Sequence, residues 1–318
     1  MSIMMILKTI IINLFILLLI TANSFSHQYY IADGPDGGTF ILYAKYISTI
    51  ASGRNIKMES IHSTGSIDNI RKVEKNEAQF AIAYSGHVFQ AIKGDLRNDP
   101  HKYQNILAIG YLYGAAAQMA LKVSDGIKNI NQINNFSIGI GNKGSGAADT
   151  AELFFREIGL WQNITPYYNT YQNIVESFIS GKIDAFWLFT SYPNPSISLT
   201  SSKINIKLID VFSEAKKKQL FVKYPYYTKC IIPAKTYNNI ENDVITFQDS
   251  AILIAHKLVS QRIVSKLTYM LYNPNGLKKL VKSPYVSEKL TLQKGINGVV
   301  TPLHPGAIAF WKKMGLIN

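Results

Sequence analysis

Three short turns carry the residue types best suited to holding a ligand: "GPDGGT" at 34–39, "STGSIDN" at 63–69 and "GNKGSGAADT" at 141–150. Each opens a run whose apolar spacing predicts a helix. The first backbone N–H groups of a helix have no partner inside it and carry partial positive charge, and glycine lets a ligand approach that backbone closely. A carboxylate is the natural guest of such a turn. In the second turn Ser66 reads as the N-cap, with Thr64 and Gly65 in the bend. The same residues also suit ordinary capping and turn chemistry. For one turn alone that plainer reading stands; three in homologous places around one cleft favour a shared anion site.

Catalysis has no comparable set of residues. The chain holds no G-x-S-x-G elbow, H-E-x-x-H, C-x-x-C or Walker P-loop. His62, His87, His101, His256 and His304 are dispersed and are expected at the surface or as caps, so no metal site and no catalytic triad follow. "GIGNKGSG" lacks both the Rossmann spacing and the Lys-Ser/Thr ending of a P-loop, so no cofactor is expected. Cys230, the only cysteine, excludes an intrachain disulfide and is expected as an inert core residue in the strand "KCIIPA". The formal charge of +13 is spread along the chain, and its densest run, "EAKKKQ" at 214–219, reads as a solvated helix face. No nucleic-acid motif accompanies it. The charge suits an anionic ligand without requiring one.

The elements that must position the turns follow from periodicity. Residues 1–26 have one lysine, a long apolar run and then small residues, the order of a secretory signal peptide cleaved near Ser24 or Ser26. That places the mature protein in the periplasm. Beyond it, strand, glycine turn, helix, strand, helix and buried strand occur twice, 105 residues apart, with "YYIADG" echoed by "FSIGIG" and "QFAIAYS" by "DAFWLFT". Strands alternating with amphipathic helices predict an α/β fold. Two such units predict two lobes, each a sheet flanked by helices, with their glycine turns facing a common crevice. Lobe one is drawn at 27–113 and 228–318 and lobe two at 114–227. "ILAIGYLYGAAAQMALKV" is the expected outward crossing strand and "TKCIIPAKTY" the return. The segment "DSAILIAHKLVSQRIVSKLTYMLY" is expected as a long amphipathic helix or helix pair, and "HPGAIAFWKKMGLI" as another.

The blocks "GPDGGTF", "STGSIDNIRKVEKNEAQFAIAYS", "INNFSIGIGNKGSGAADTAELFFREIGL", "ISGKIDAFW" with "YPNP", and "TPLHPGAIAFWKKMGL" together span nearly the whole mature chain. In them the sequence resembles the TAXI family, the solute receptors of tripartite ATP-independent periplasmic (TRAP) transporters. The resemblance implies a type II-like periplasmic-binding fold that closes on a small organic anion such as glutamate, glutamine or 2-oxoglutarate, and delivers it to a TRAP membrane permease. It implies no enzymatic activity and no nucleic-acid partner. Carried over residue by residue, it gives Gly38, Thr39, Ser66, Tyr84, Ser85, Gly144, Ser145, Gly146 and Tyr192 as ligand-binding positions, with core packing as the competing role for the two tyrosines. The chain departs from the family pattern at Ala147, at "LYGAAAQM" and at Thr190 and Ser191. A secreted sensing or surface interaction protein without transport partners is the alternative reading.

Overall fold

The computed structural model describes residues 28–280 and 290–318. The segment expected as a signal peptide, 1–26, lies outside the described residues. Among the described residues no helix is long and apolar enough to cross a membrane.

The first α/β unit runs β1 (Tyr29–Ala32), α1 (Thr39–Ser52), β2 (Met58–Ile61), α2 (Ser66–Glu74), β3 (Phe80–Tyr84) and α3 (Ser85–Lys93). A long strand, β4 (Ile106–Lys122), leads into the second unit: β5 (Phe136–Gly141), α4 (Gly146–Glu157), β6 (Ile164–Tyr168), α5 (Tyr171–Ile179), β7 (Ala185–Thr190) and α6 (Pro195–Lys203). The expected echo is present, since α5 and β7 start 105 residues after α2 and β3. After β8 (Ile206–Ile209), α7 (Phe212–Lys217) and α8 (Leu220–Lys223) come β9 (Thr228–Ile232) and a second long strand, β10 (Val244–His256). Helices α9 (Gln261–Tyr272), α10 (Pro274–Leu280) and α11 (Pro305–Lys313) complete the described chain.

All ten strands form one sheet in the order β2-β1-β3-β10-β4-β7-β5-β6, with β8 on β4 and β9 on β10. Strands β1, β2 and β3 are parallel, as are β5, β6 and β7. The long strands β4 and β10 run antiparallel to each other between these two halves. Their length decides their role: a 17-residue strand spans roughly 55 Å at the usual rise, enough to belong to both halves. The sheet is thus an α/β assembly of two lobes joined by crossing strands, as the alternating pattern predicts. Strands β3 and β7 are buried on both faces, so "FAIAY" and "AFWLFT" read as continuous apolar runs.

The return crossing differs from the expectation. It is β10, whereas "TKCIIPAKTY" forms β9, which pairs with residues 244–248 at the lobe-two end of β10. Residues 249–256, expected as helix, are strand, and only α9 onward is helical. "AILIA" is apolar at every position because β10 is buried between β3 and β4, and a short uniform apolar run has no periodicity to separate strand from helix. The core continues across the join: Phe247 from β10 packs on Trp187, which stacks on Phe154 of α4 with ring centroids 5.1 Å apart. Lys216, Lys217 and Lys218 are exposed, as expected of a solvated run.

Candidate functional site

The carboxyl ends of both sets of parallel strands meet at a small cavity of about 20 Å³. Lobe one contributes Gly38, Thr39, Phe40, Thr64, Gly65, Ser66 and Tyr84; lobe two contributes Ser145, Ala147, Tyr171, Phe189 and Thr190; Tyr113 comes from the crossing strand β4. The internal echo reappears here, because Ser66 and Tyr171 are equivalent positions, as are Tyr84 and Phe189. The Tyr84 hydroxyl donates to the Phe189 carbonyl across the interface.

Lobe one reaches the cavity through two open helix ends. Helix α1 starts after Gly38 and α2 after Gly65, and neither has a side-chain cap. Gly65 sits at φ 122°, a conformation that only glycine adopts without strain. Ser66 is therefore not the N-cap that the sequence suggested. It is the first residue of α2, and its Oγ accepts from the Tyr84 backbone N–H at 2.9 Å while lying 3.1 Å from His87 Nδ1. The third lobe-one helix, α3, is already served by a carboxylate: Asp249 Oδ2 on β10 accepts from Gly86 N at 2.9 Å. Burial pushes the Asp249 carboxyl up to about 7, against the pull of His87 and of the Gly86 and Ser250 N–H groups.

Lobe two closes its own helix ends. Ser145 Oγ accepts from Ala148 N at 3.1 Å, Thr170 from Asn173 N, and Asn194 from Ser196 N and Ile197 N. These bonds satisfy donors that would otherwise face the crevice.

Between the lobes runs a line of polar contacts. Thr39 Oγ1 lies 2.7 Å from both Thr190 Oγ1 and Ser191 Oγ. Asn194 and Ser196 side chains donate to the Gly37 carbonyl. His87 Nε2, buried, is 3.4 Å from Asp149 Oδ2 on α4, and Arg97 Nε is 3.0 Å from the other oxygen. Burial raises the Asp149 pKa, but its bonds to His87 and Arg97 outweigh that and hold the carboxyl below its usual range. At Gly146 the lobes touch: a Cβ there would lie 2.6 Å from Ser66 Cβ and 2.8 Å from His87 Nδ1.

Of the positions expected from sequence, Gly38, Thr39, Ser66, Tyr84 and Ser145 are brought together at the cavity. Gly146 is at the lobe–lobe contact beside it. Gly144 lies in a neighbouring hollow at the crevice mouth, with Arg71, Arg97 and Lys143. Ser85 is fully buried behind Tyr84, its Oγ accepting from Val300 N. Tyr192 lines a different hollow, beside Cys230. The histidines also divide: His304 caps α11 by accepting from Gly306 N, as expected, whereas His87 is buried between the lobes.

Sequence reasoning missed Tyr113. Its hydroxyl is buried and lines the cavity beside the Thr39 hydroxyl, whose interaction partly offsets the rise in its pKa. Burial, then the nearby Tyr43 and Tyr171, raise its pKa well above 10, so it is a neutral O–H donor. A register shift aims it: Ala251 pairs with Tyr113 and Ile252 with Tyr111, so Leu112 is an extra residue. The two tyrosines therefore fall on opposite faces of β4. The only sequence signal was a polar-tipped ring in the otherwise apolar crossing "YLYGAAA". Among the described residues no cluster of His, Cys, Asp and Glu could hold a metal ion.

Comparison with known proteins agrees with this architecture. A solved structure from Bordetella bronchiseptica RB50 overlays with a TM-score of 0.52 at 15% identity, covering 92% of this chain and 89% of its own. The alkanesulfonate-binding protein SsuA from Xanthomonas axonopodis pv. citri, bound to MOPS, gives 0.48 at 13% identity over 92% and 94%. A putative L-cystine ABC transporter protein from Listeria monocytogenes gives 0.48 at 12% identity over 83% and 100%. At 15% identity the likeness to the first of these concerns the fold alone. A sequence profile of the NMT1-like family matches residues 31–315, nearly all of the described chain, and the protein belongs to that family.

Proposed function

We propose that the protein is an extracytoplasmic solute receptor of the TAXI type, which captures a small organic anion between its lobes and delivers it to a TRAP permease. One observation carries this reading. Two uncapped helix N-termini, those of α1 and α2, and the buried Tyr113 hydroxyl open on one cavity between the lobes. Backbone N–H groups at a helix start favour a negative guest, and a neutral tyrosine adds a directed donor. Asp249 at the start of α3 shows a carboxyl oxygen accepting from such an N–H, although burial there pushes its pKa up to about 7.

The cavity of about 20 Å³ has room for about one water. A glutamate-sized solute therefore requires the lobes to separate and close again, a hinge motion that the crossing strands allow. The lobes drawn from sequence at 27–113 with 228–318 and at 114–227 are redrawn with the return boundary inside β10 instead of at 228, so that β9 and residues 244–248 go with lobe two and the remainder of β10 onward with lobe one. Gly38, Thr39, Ser66 and Tyr84 then act from lobe one, and Ser145 marks the facing wall. Candidate solutes are glutamate, glutamine, 2-oxoglutarate and acids of similar size.

The test is mass spectrometry of ligand carried through purification, followed by titration calorimetry with that acid. A hydrogen bond to a charged group contributes about 1.5–3 kcal/mol, so Tyr113→Phe should weaken binding about tenfold to a hundredfold with an unchanged melting temperature. Equal affinity in Tyr113→Phe, or binding confined to neutral sugars, overturns the anion assignment.

A further inference from the structure

The register shift that aims Tyr113 into the cavity turns Tyr111 to the opposite face of the crossing strands. That face holds a larger hollow of about 450 Å³, which also spans both lobes. Lys294 and Asn297 line it from lobe one, and Lys229 and Tyr192 from the lobe-two side; Gln248 of β10 forms part of its floor. Among the described residues none of those lining it is acidic. Neither lysine forms an ion pair among the described residues, although Lys229 Nζ lies over the Phe212 ring at 5.4 Å. The hollow thus gathers two ammonium groups, two amides and two phenols, with no carboxylate among the described residues that line it.

We propose that this hollow is a second binding site, for a small polyvalent anion bearing carboxylate or phosphate groups. The chemistry is complementary: lysines are point-charge donors for such groups, and the amides and phenols orient them. The hollow also lies across the hinge from the solute cavity. Closing a hinge on one face changes the opposite face in the opposite sense, and here the front cavity is small while the rear hollow is wide. An anion held by Lys229 and Lys294 together bridges the lobes in this arrangement. Ser191 connects the two faces, since it lines the rear hollow while its Oγ lies 2.7 Å from Thr39 Oγ1 at the front cavity. This site does not depend on the solute assignment above.

Cys230, the chain's single cysteine, lines the same hollow and serves as a reporter. Citrate and inorganic phosphate are the probes, with the full mature chain and neutral iodoacetamide as the alkylating reagent. Citrate should slow alkylation of Cys230 saturably, by about threefold or more, and a Lys229→Gln, Lys294→Gln double variant should lose that protection. Calorimetric titration with citrate reads the same site without the cysteine and should show heat in the parent that the double lysine variant loses. Gly38→Asp, which places a carboxylate at the front cavity, should leave the protection intact. Small-angle scattering should show an unchanged or smaller radius of gyration with citrate. Protection that survives the double lysine variant, vanishes in Gly38→Asp or is absent up to tens of millimolar citrate overturns the site. A radius that grows with citrate overturns the bridging role.

Discussion

The two lobes are built from the same succession of strands and helices, yet they finish their helices differently. In lobe one, α1 and α2 start at glycines and have no side-chain cap, while α3 borrows the Asp249 carboxylate from the crossing strand. In lobe two, Ser145, Thr170 and Asn194 cap α4, α5 and α6 from within. An N–H that is already bonded has little left to offer a solute, whereas an open one at a helix start is a ready donor. The difference assigns labour. On the proposed function, lobe one carries the donors that would hold an anion, and lobe two is a self-satisfied wall that would shut over it.

That division breaks most sharply if the wall cannot seat. Gly146 is where α4 meets Ser66 and His87, and a Cβ there would sit 2.6 Å from one and 2.8 Å from the other. Both neighbours are buried and bonded, so they have little freedom to yield. Overpacking of this kind costs up to about 3 kcal/mol, and it acts only on the closed form. Gly146→Val should therefore weaken solute binding about a hundredfold, with normal circular dichroism and a larger radius of gyration in scattering. A variant that closes like the parent would show that the lobes do not meet at this contact.

The next test fills a donor on the lobe that offers it. Gly38 has φ −88° and ψ 164°, an extended conformation open to any residue, although a Cβ there would lie 3.0 Å from the Pro35 carbonyl oxygen and the turn must give by a few tenths of an ångström. Gly38→Asp puts a carboxylate at the start of α1, imitating what Asp249 does for α3. The helix gains a cap and a favourable charge worth about 0.5 kcal/mol, while the anion loses its seat. Affinity should fall about tenfold to a hundredfold as the melting temperature holds or rises. Loss of stability together with affinity would mean that the open end is not where the solute sits.

How much of this was legible in the chain depends on what each residue's identity can encode. The alternation of apolar strands with amphipathic helices, repeated at 105 residues, specified the α/β lobes because periodicity follows from which face is buried. The return strand was not legible, since "AILIA" is apolar throughout and packs between β3 and β4. Hydroxyls at helix starts were legible as a class but not by role. Ser145 is a cap and Ser66 is not, and a shift of one residue in the turn separates them. Tyr113 reaches the cavity through an extra residue in one strand, which only the partner strand's register reveals. Asp249 did leave a trace, an acid inside a strand that is otherwise largely apolar, and such a residue needs a partner when buried.

Two buried aspartates sharpen the comparison through pH. Burial dominates at Asp249 and raises it from 3.8 to about 7, so the folded chain holds a proton there that the unfolded chain has released. Its contribution is full below about pH 4 and is lost as pH rises through about 7. Asp149 has the opposite sign: His87 and Arg97 lower it, and its contribution is lost as pH falls through its depressed folded value. Asp249→Asn keeps an acceptor for the Gly86 N–H but cannot ionise. Denaturant melts between pH 5 and 8 should show the parent losing a few kcal/mol relative to the variant as pH rises. Parallel profiles would remove Asp249 as the titrating group.

The smallest effect is the most discriminating for the lobe comparison. By its position in "GSGA" Ser145 looks like a hydroxyl aimed at the solute, but its Oγ is held in place as the α4 cap by accepting from the Ala148 N–H, with only its own O–H left to donate. Ser145→Ala removes a helix cap, which costs about 1 kcal/mol, and should leave affinity within about twofold of the parent. Ser66→Ala is the control from lobe one. It strips the acceptor from Tyr84 N and a partner from His87 Nδ1, so stability and affinity should both fall, each by about 1–3 kcal/mol for buried groups left unpaired. Calorimetric binding curves and chemical melts on the two variants separate the cases. If Ser145→Ala loses affinity as Ser66→Ala does, lobe two is a binding surface equal to lobe one, and the asymmetry of their caps has no bearing on what the crevice holds.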